Sequence, residues 1–253
     1  MAVVDEKIDQ GIRIVTLNRP DALNAFSSEL MDALAEAFIG AAADANTKVL
    51  VLTGAGRAFS AGADLKAMGK PAHTPKYGLS GLLEAIIDFP KPWLIAANGV
   101  GVGIGCTLLG LADAAFAAAS ARFRCPFSAL GLTAEAASTV TFARLMGHQQ
   151  ASWFLLSSEW LSADKAMTLG LVHSVYPDDR LMDEVMHRAA VLAALPLTSL
   201  VQTKALMTRT RNPELKAAIK LENAALDQLA GGPANREALA AFAAKREPDF
   251  TAL

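Results

Sequence analysis

The stretch Trp93-Leu94-Ile95-Ala96-Ala97-Asn98-Gly99-Val100-Gly101-Val102-Gly103-Ile104-Gly105-Cys106 decides the fold. Five apolar residues at 93–97 read as a buried strand, because a strand covered on both faces needs no polar alternation. Asn98 and four alternating glycines then break it, and Cys106–Leu111 reads as a short helix leaving the turn. The run 93–112 carries no charge and is long enough to span a bilayer. Five glycines and an asparagine inside it, with Pro90 and Pro92 before it, favour strand, turn and helix in a protein core instead.

The same grammar extends outward. Lys48–Thr53 is a second buried strand, followed by a loop through Gly54, Gly56 and Ala58–Leu65; Ala114–Ala118 is a third. Leu30, Leu34, Phe38 and Ala42 recur at helical spacing behind a potential cap at Ser27, and Leu79–Phe89 is helical up to Pro90. Val3–Ile8 and Ile12–Leu17, joined at Gln10-Gly11, predict a hairpin. Alternating strands and helices predict an α/β fold with a mostly parallel sheet. Further helices are expected at Glu135–Met146, Gln149–Leu156 and Ala163–Leu169, the last capped by Ser162. From Arg180 onward the chain reads as nearly all helix. The expected division is a β/α core over 1–195 and a C-terminal helical region over 196–253.

Composition excludes several classes. The 253 residues are 53% hydrophobic and carry a formal net charge of -2, which gives no electrostatic footprint for nucleic acid. Cys106 and Cys125 lie in apolar stretches and read as reduced core thiols of a cytoplasmic protein. The N-terminus has no basic and apolar secretory pattern, and no membrane association is expected. His73, His148, His173 and His187 lack metal-ligand spacing, and neither a Walker A loop nor a Gly-x-Ser-x-Gly elbow is present. The glycine spacing at 99–105 is not that of a dinucleotide site.

Two glycine-bearing loops remain, Ala58–Leu65 and Asn98–Gly105, each following a buried strand. Free N–H groups at such ends carry partial positive charge. Two of them converging on one oxygen would form an oxyanion hole; tight turns and close helix–sheet packing explain the same glycines equally well.

The stretches Leu17-Asn18-Arg19-Pro20 with Leu23-Asn24-Ala25, Ala58–Leu65, Pro92–Gly105 and Leu161–Leu171 resemble, in order, successive signatures of the crotonase (enoyl-CoA hydratase/isomerase) family. The resemblance implies a β/α spiral core, a C-terminal helical trimerisation region, homotrimers or dimers of trimers, and acyl-CoA thioester substrates with no cofactor beyond the coenzyme A they carry. It implies an oxyanion hole from the N–H groups of Ala63 and Ile104, with Ala61, Gly62, Asp64 and Leu65 lining the CoA site. Leu215, Ile219 and Leu226 are expected at subunit contacts. Typical hydratases carry two glutamates, where this chain has Thr107 and Phe127. The segment Pro126–Glu135 instead resembles the Δ3,Δ2-enoyl-CoA isomerase branch, whose single base maps to Glu135, with Phe127 and Leu130 walling the acyl pocket. Ala136 departs from that branch, which usually has glycine there, and the Ser-Ala-Gly-Ala-Asp form of the first loop is closer to hydratases. A hydratase or other acyl-CoA lyase, and a non-catalytic acyl-CoA-binding trimer, are the alternatives. Asp64 also reads as a cap for a following helix, Asp113 as structural, and Arg19, Lys66, Lys245 and Arg246 as surface charge within possible reach of CoA phosphates.

Overall fold

The computed structural model describes residues 2–64, 74–251 and 253. The hairpin forms as β1 (Val4–Asp9) and β2 (Ile12–Leu17), followed by α1 (Ser28–Ala43), β3 (Val49–Gly54), β4 (Ala58–Ser60), α2 (Gly78–Ile87), β5 (Trp93–Ala97), β6 (Val100–Val102) and α3 (Ile104–Thr107). Then come β7 (Ala114–Ala118), β8 (Arg122–Arg124), α4 (Ser138–Met146), α5 (His148–Ser157), β9 (Trp160–Ser162), α6 (Ala163–Thr168) and β10 (Ser174–Tyr176). Four helices close the chain: α7 (Leu181–Ala193), α8 (Leu197–Thr208), α9 (Arg211–Leu229) and α10 (Pro233–Ala244).

The strands form two sheets, one in the order β1-β2-β3-β5-β7-β10 and one in the order β4-β6-β8-β9. Each turn of the chain lays a strand in the large sheet and the next in the small one: β3 then β4, β5 then β6, β7 then β8. All pairings are parallel except β1 with β2 and β8 with β9. This is a β/α spiral. It stacks equivalent strand ends side by side, so the loops after β4 and β6 become neighbours.

Apolar burial holds the spiral. β3 and β5 are buried along their whole length, as their unbroken apolar runs require. Helix α1 starts where Ser27 Oγ accepts the Leu30 N–H at 3.2 Å, satisfying one orphan donor of the first turn. Its buried face, Leu30, Leu34, Phe38 and Ala41, reaches Phe89 and Trp93. Both meet Phe38 edge-on at centroid distances of 5.2 and 5.3 Å, a geometry worth about 0.5–1.5 kcal/mol per pair beyond burial. The run 93–112 spans β5, β6 and α3 rather than one helix. No single helix among the described residues is long and apolar enough to cross a membrane.

Two expectations need correction. Helix α4 starts at Ser138, not Glu135. Leu215 and Ile219 of α9 are buried in the chain's own core, so neither is left for a subunit contact, while half-buried Leu226 lines a cavity. The lone charges have mostly structural partners. Asp113 accepts the Trp93 N–H at 2.9 Å and pairs with buried Lys204 at 2.6 Å, and Arg246 pairs with Glu237.

Candidate active site

The β3–β4 turn, β4 and the loop after it are fixed from several sides by Asn24, Ser60 and Asn98. Asn24, fully buried, donates its Nδ2 to Ala55 O at 2.9 Å and Ala58 O at 2.8 Å. Ser60 Oγ donates to Asn24 O at 2.8 Å and accepts the Gly62 N–H at 3.2 Å. Asn98 accepts the Gly54 N–H and donates to Gly56 O at 2.9 Å. The loop then pairs with the chain at Phe26: the Phe26 N–H donates to Gly62 O at 2.7 Å and the Asp64 N–H to Phe26 O at 3.1 Å. In a parallel bridge of this kind the intervening residue points its own amide the other way. That residue is Ala63, so its N–H faces away from Phe26.

The second loop approaches within van der Waals contact. A Cβ on Gly62, whose φ is +90°, would lie 2.8 Å from Val102 O, and one on Gly105 would lie 2.7 Å from Ser60 O. Only glycine permits both approaches. Ile104 opens α3, so its N–H is among the donors a helix start leaves without an intrahelical acceptor.

Ala63 and Ile104 line one cavity of about 480 Å³, together with Ala61, Gly62, Val102, Gly103, Arg124, Pro126, Phe127, Ala129, Leu130, Leu132 and Glu135. Trp160 of β9 adds to the wall, and the far side comes from α9, α10 and their link: Leu226, Ala230, Asn235, Leu239 and Phe242. The cavity is thus mostly hydrocarbon, with one carboxylate and one guanidinium among the described residues of its lining. Of the sequence-derived site residues, Glu135, Ala63, Ile104, Ala61, Gly62, Phe127 and Leu130 meet here. Asp64 does not: its carboxylate pairs with Arg19 at 2.8 Å. Arg19 is thereby committed to Asp64 and Ala25 O. Leu65, Lys66 and the helix that Asp64 would cap lie outside the described residues. Thr107 is fully buried and outside the lining, its hydroxyl donating to Ile104 O at 3.4 Å.

Glu135 is presented by an unusual turn. Ala136 and Ala137 both adopt left-handed backbone, φ 58° and 57°, a conformation that costs a non-glycine residue roughly 1–2 kcal/mol. Glu222 of α9, itself buried, holds this turn. Its carboxylate accepts the Ala137 N–H at 2.7 Å, the Thr139 N–H at 3.2 Å and the Thr139 hydroxyl at 2.5 Å, capping α4 from 85 positions away. Burial pushes the Glu135 carboxyl up to about 7, and the nearby Glu222 carboxylate adds to the rise. A carboxylate that titrates near neutrality can both take and return a proton.

Sequence reasoning missed Glu222, Arg124, Trp160 and the α10 wall. Leu239 and Phe242 carried a signal, since they lie on the apolar stripe of a terminal helix. Glu222 carried none, being one acid among several on a helix.

Comparison with known proteins places the chain. The enoyl-CoA hydratase/isomerase family model matches residues 7–252. The 1,2-epoxyphenylacetyl-CoA isomerase of Escherichia coli is 35% identical over 99% of both chains. Enoyl-CoA delta isomerase 2 of Rattus norvegicus is 37% identical over 82% of this chain and 54% of its own length. The 2,3-dehydroadipyl-CoA hydratase of E. coli is 34% identical over 95% of each. The crystal structure of an enoyl-CoA hydratase/isomerase from Pseudoalteromonas atlantica superimposes with a TM-score of 0.94 at 32% identity, covering 98% of this chain and all of that one. The chain belongs to the enoyl-CoA hydratase/isomerase, or crotonase, family.

Proposed function

We propose that the protein shifts the double bond of a 3-enoyl-CoA to the trans-2 position. The observation that carries this reading is the inventory of the cavity: Glu135 is the only carboxylate among the described residues that line it. Adding water across a double bond calls for paired acid and base groups, and the positions where the family's hydratases hold glutamates carry Thr107 and Phe127. A 1,3-proton shift needs only one base.

In this mechanism Glu135 takes a proton from C2, and the C–H electron pair spreads over the dienolate to the thioester oxygen. The N–H groups of Ala63 and Ile104 stabilise that oxygen, each amide contributing most when the site is closed to water. Glu135 then returns the proton to C4, the double bond settles between C2 and C3, and the carboxylate is restored. The thioester itself acidifies C2, so no other cofactor is invoked. We further propose, from the family resemblance and the reading of the two cysteines as reduced thiols, that the protein is a cytoplasmic homotrimer or dimer of trimers. Exposed Leu206 and Met207 on α8, 70% and 74% accessible, offer an apolar surface for such contacts, and light scattering at micromolar concentration tests it.

Incubation with 3-hexenoyl-CoA and, separately, 2-hexenoyl-CoA, followed by mass analysis, tests the reaction. The expected result is a 2-enoyl product of unchanged mass from the first and no water addition to the second. Hydration of 2-hexenoyl-CoA at a typical enzyme turnover, on the order of ~10 per second, would overturn it.

A further inference from the structure

The guanidinium in the cavity wall has no function in the proton shift, and among the described residues no ion pair engages it. Val102, Arg124 and Trp160 are register partners across β6, β8 and β9, and all three line the cavity. The neighbouring positions Gly101, Phe123 and Leu161 are buried on the opposite face. Arg124 is anchored at its inner end, where Nε donates to Ser158 O at 2.6 Å, and its guanidinium lies 5.6 Å from the Trp160 ring centroid. Arg122 occupies the same ring at 4.3 Å. No carboxylate among the described residues pairs with Arg124 or Arg122.

A guanidinium has five N–H donors, and among the described residues only the Nε donor of Arg124 has a partner. The remaining four sit on the two terminal nitrogens, the end that receives a carboxylate in a forked pair. Arg124 is half-buried in a largely hydrocarbon wall, so an anion that enters the cavity meets few other donors to compete with these four. We propose that Arg124, backed by Trp160, is a subsite for a carboxylate at the distal end of the acyl chain, so that the favoured substrates are CoA thioesters of unsaturated dicarboxylic acids. The inference rests on the reading that an acyl-CoA fills this cavity.

Dimensions favour the acyl chain over coenzyme A as the source of the anion. A 480 Å³ space is about 10 Å across if round. A six-carbon acyl chain spans roughly 6 Å from thioester carbon to terminal carbon, by the reach of extended chains. The pantetheine arm separates the CoA phosphates from the thioester by roughly 15 Å, which carries them outside.

The test compares adipyl-CoA with hexanoyl-CoA, which share chain length and cannot isomerise, by calorimetric titration of the wild-type protein and of Arg124→Met and Arg124→Lys. The wild type should bind adipyl-CoA about 10- to 100-fold more tightly than hexanoyl-CoA, the range of a charge-assisted bond. Arg124→Met should cut that ratio at least ~10-fold, and Arg124→Lys should restore part of it. A wild-type ratio near one would overturn the proposal. So would equal weakening of both ligands in Arg124→Met, which would put Arg124 against CoA itself. Circular dichroism confirms that each variant is folded. Turnover of 3-hexenedioyl-CoA against 3-hexenoyl-CoA separates the two readings: a binding preference without isomerisation sinks the isomerase reading alone, whereas isomerisation without the preference sinks the subsite alone.

Discussion

Two walls of the cavity position their polar groups by opposite means. The wall of Ala63 and Ile104 is made of backbone. Glycines let two loops touch, and Asn24, Ser60 and Asn98 tie the first loop to its surroundings through short side-chain bonds. The wall of Glu135 is made of a side chain on a turn that glycine would suit, yet alanines occupy it. Its support comes from Glu222 on a distant helix. The first wall is rigid by exclusion, because no larger side chain fits. The second is held by an electrostatic clamp that also shapes how its carboxyl titrates.

The contrast is broken most severely at Gly62. A methyl there would collide with Val102 O at 2.8 Å, on backbone at φ +90°, so the loops must part. Gly62→Ala should therefore lower kcat/KM by ~100-fold or more, since displacing an oxyanion donor by an ångström costs about that much. Steady-state isomerisation checks it, and a loss under about threefold would show that the close approach of the two loops is not what catalysis uses.

An intermediate effect is expected at Glu222. In the wild type kcat/KM should rise with pH through about 7, because the proposed mechanism needs Glu135 ionised in the free enzyme. Burial is the larger cause of that elevated value and Glu222 the smaller. Glu222→Gln removes the charge and leaves one oxygen where two accepted bonds. The midpoint should move down without reaching the ordinary carboxylate range, and the protein should lose about 1–3 kcal/mol of stability from unmet donors. A midpoint that stays in place or rises would remove Glu222 from the account of Glu135.

The smallest effect belongs to Ala136→Gly. Relief of the left-handed backbone is offset by the lost methyl burial and by the freer unfolded chain, so stability should change by less than about 1 kcal/mol. Thermal unfolding reads this directly. A large destabilisation would mean that the alanine methyl, rather than the Glu222 clamp, holds the turn.

The same contrast explains what could be read from the chain alone. Runs such as 48–53 and 93–97, the Ser27 cap and the hairpin at Gln10-Gly11 are local signals, and each matches an observed element to within a residue. Strands β4, β6, β8, β9 and β10 have three residues each. They exist because the spiral brings a partner alongside, so their own residues carry almost no pattern. The reading of a helix from Glu135 failed for a related reason. Alanine propensity argues for helix at 136–137, but those residues turn left-handed and the cap arrives from Glu222. Arg124 escaped notice because an Arg-Phe-Arg triplet reads as surface charge until the sheet turns one arginine toward the cavity. Glu135, Ala63 and Ile104 were legible only through ordered family motifs; their meeting in one cavity is a property of the fold.

Glu135→Gln tests the central claim most directly, with single-turnover isomerisation of 3-hexenoyl-CoA and thermal unfolding measured on the same preparation. The amide keeps the side-chain shape but cannot accept the C2 proton, so turnover should fall ~100- to 10,000-fold. Stability offers an independent check. A carboxyl raised from 4.5 to about 7 by folding makes the native state less stable as pH rises across that interval, because the folded chain holds the proton longer. The variant should therefore gain stability relative to wild type at pH 8 and much less at pH 5. A Glu135→Gln protein that folds normally and keeps more than about a tenth of wild-type turnover would contradict the account, since a tenfold loss is only ~1.4 kcal/mol of barrier, too little for the loss of the sole base.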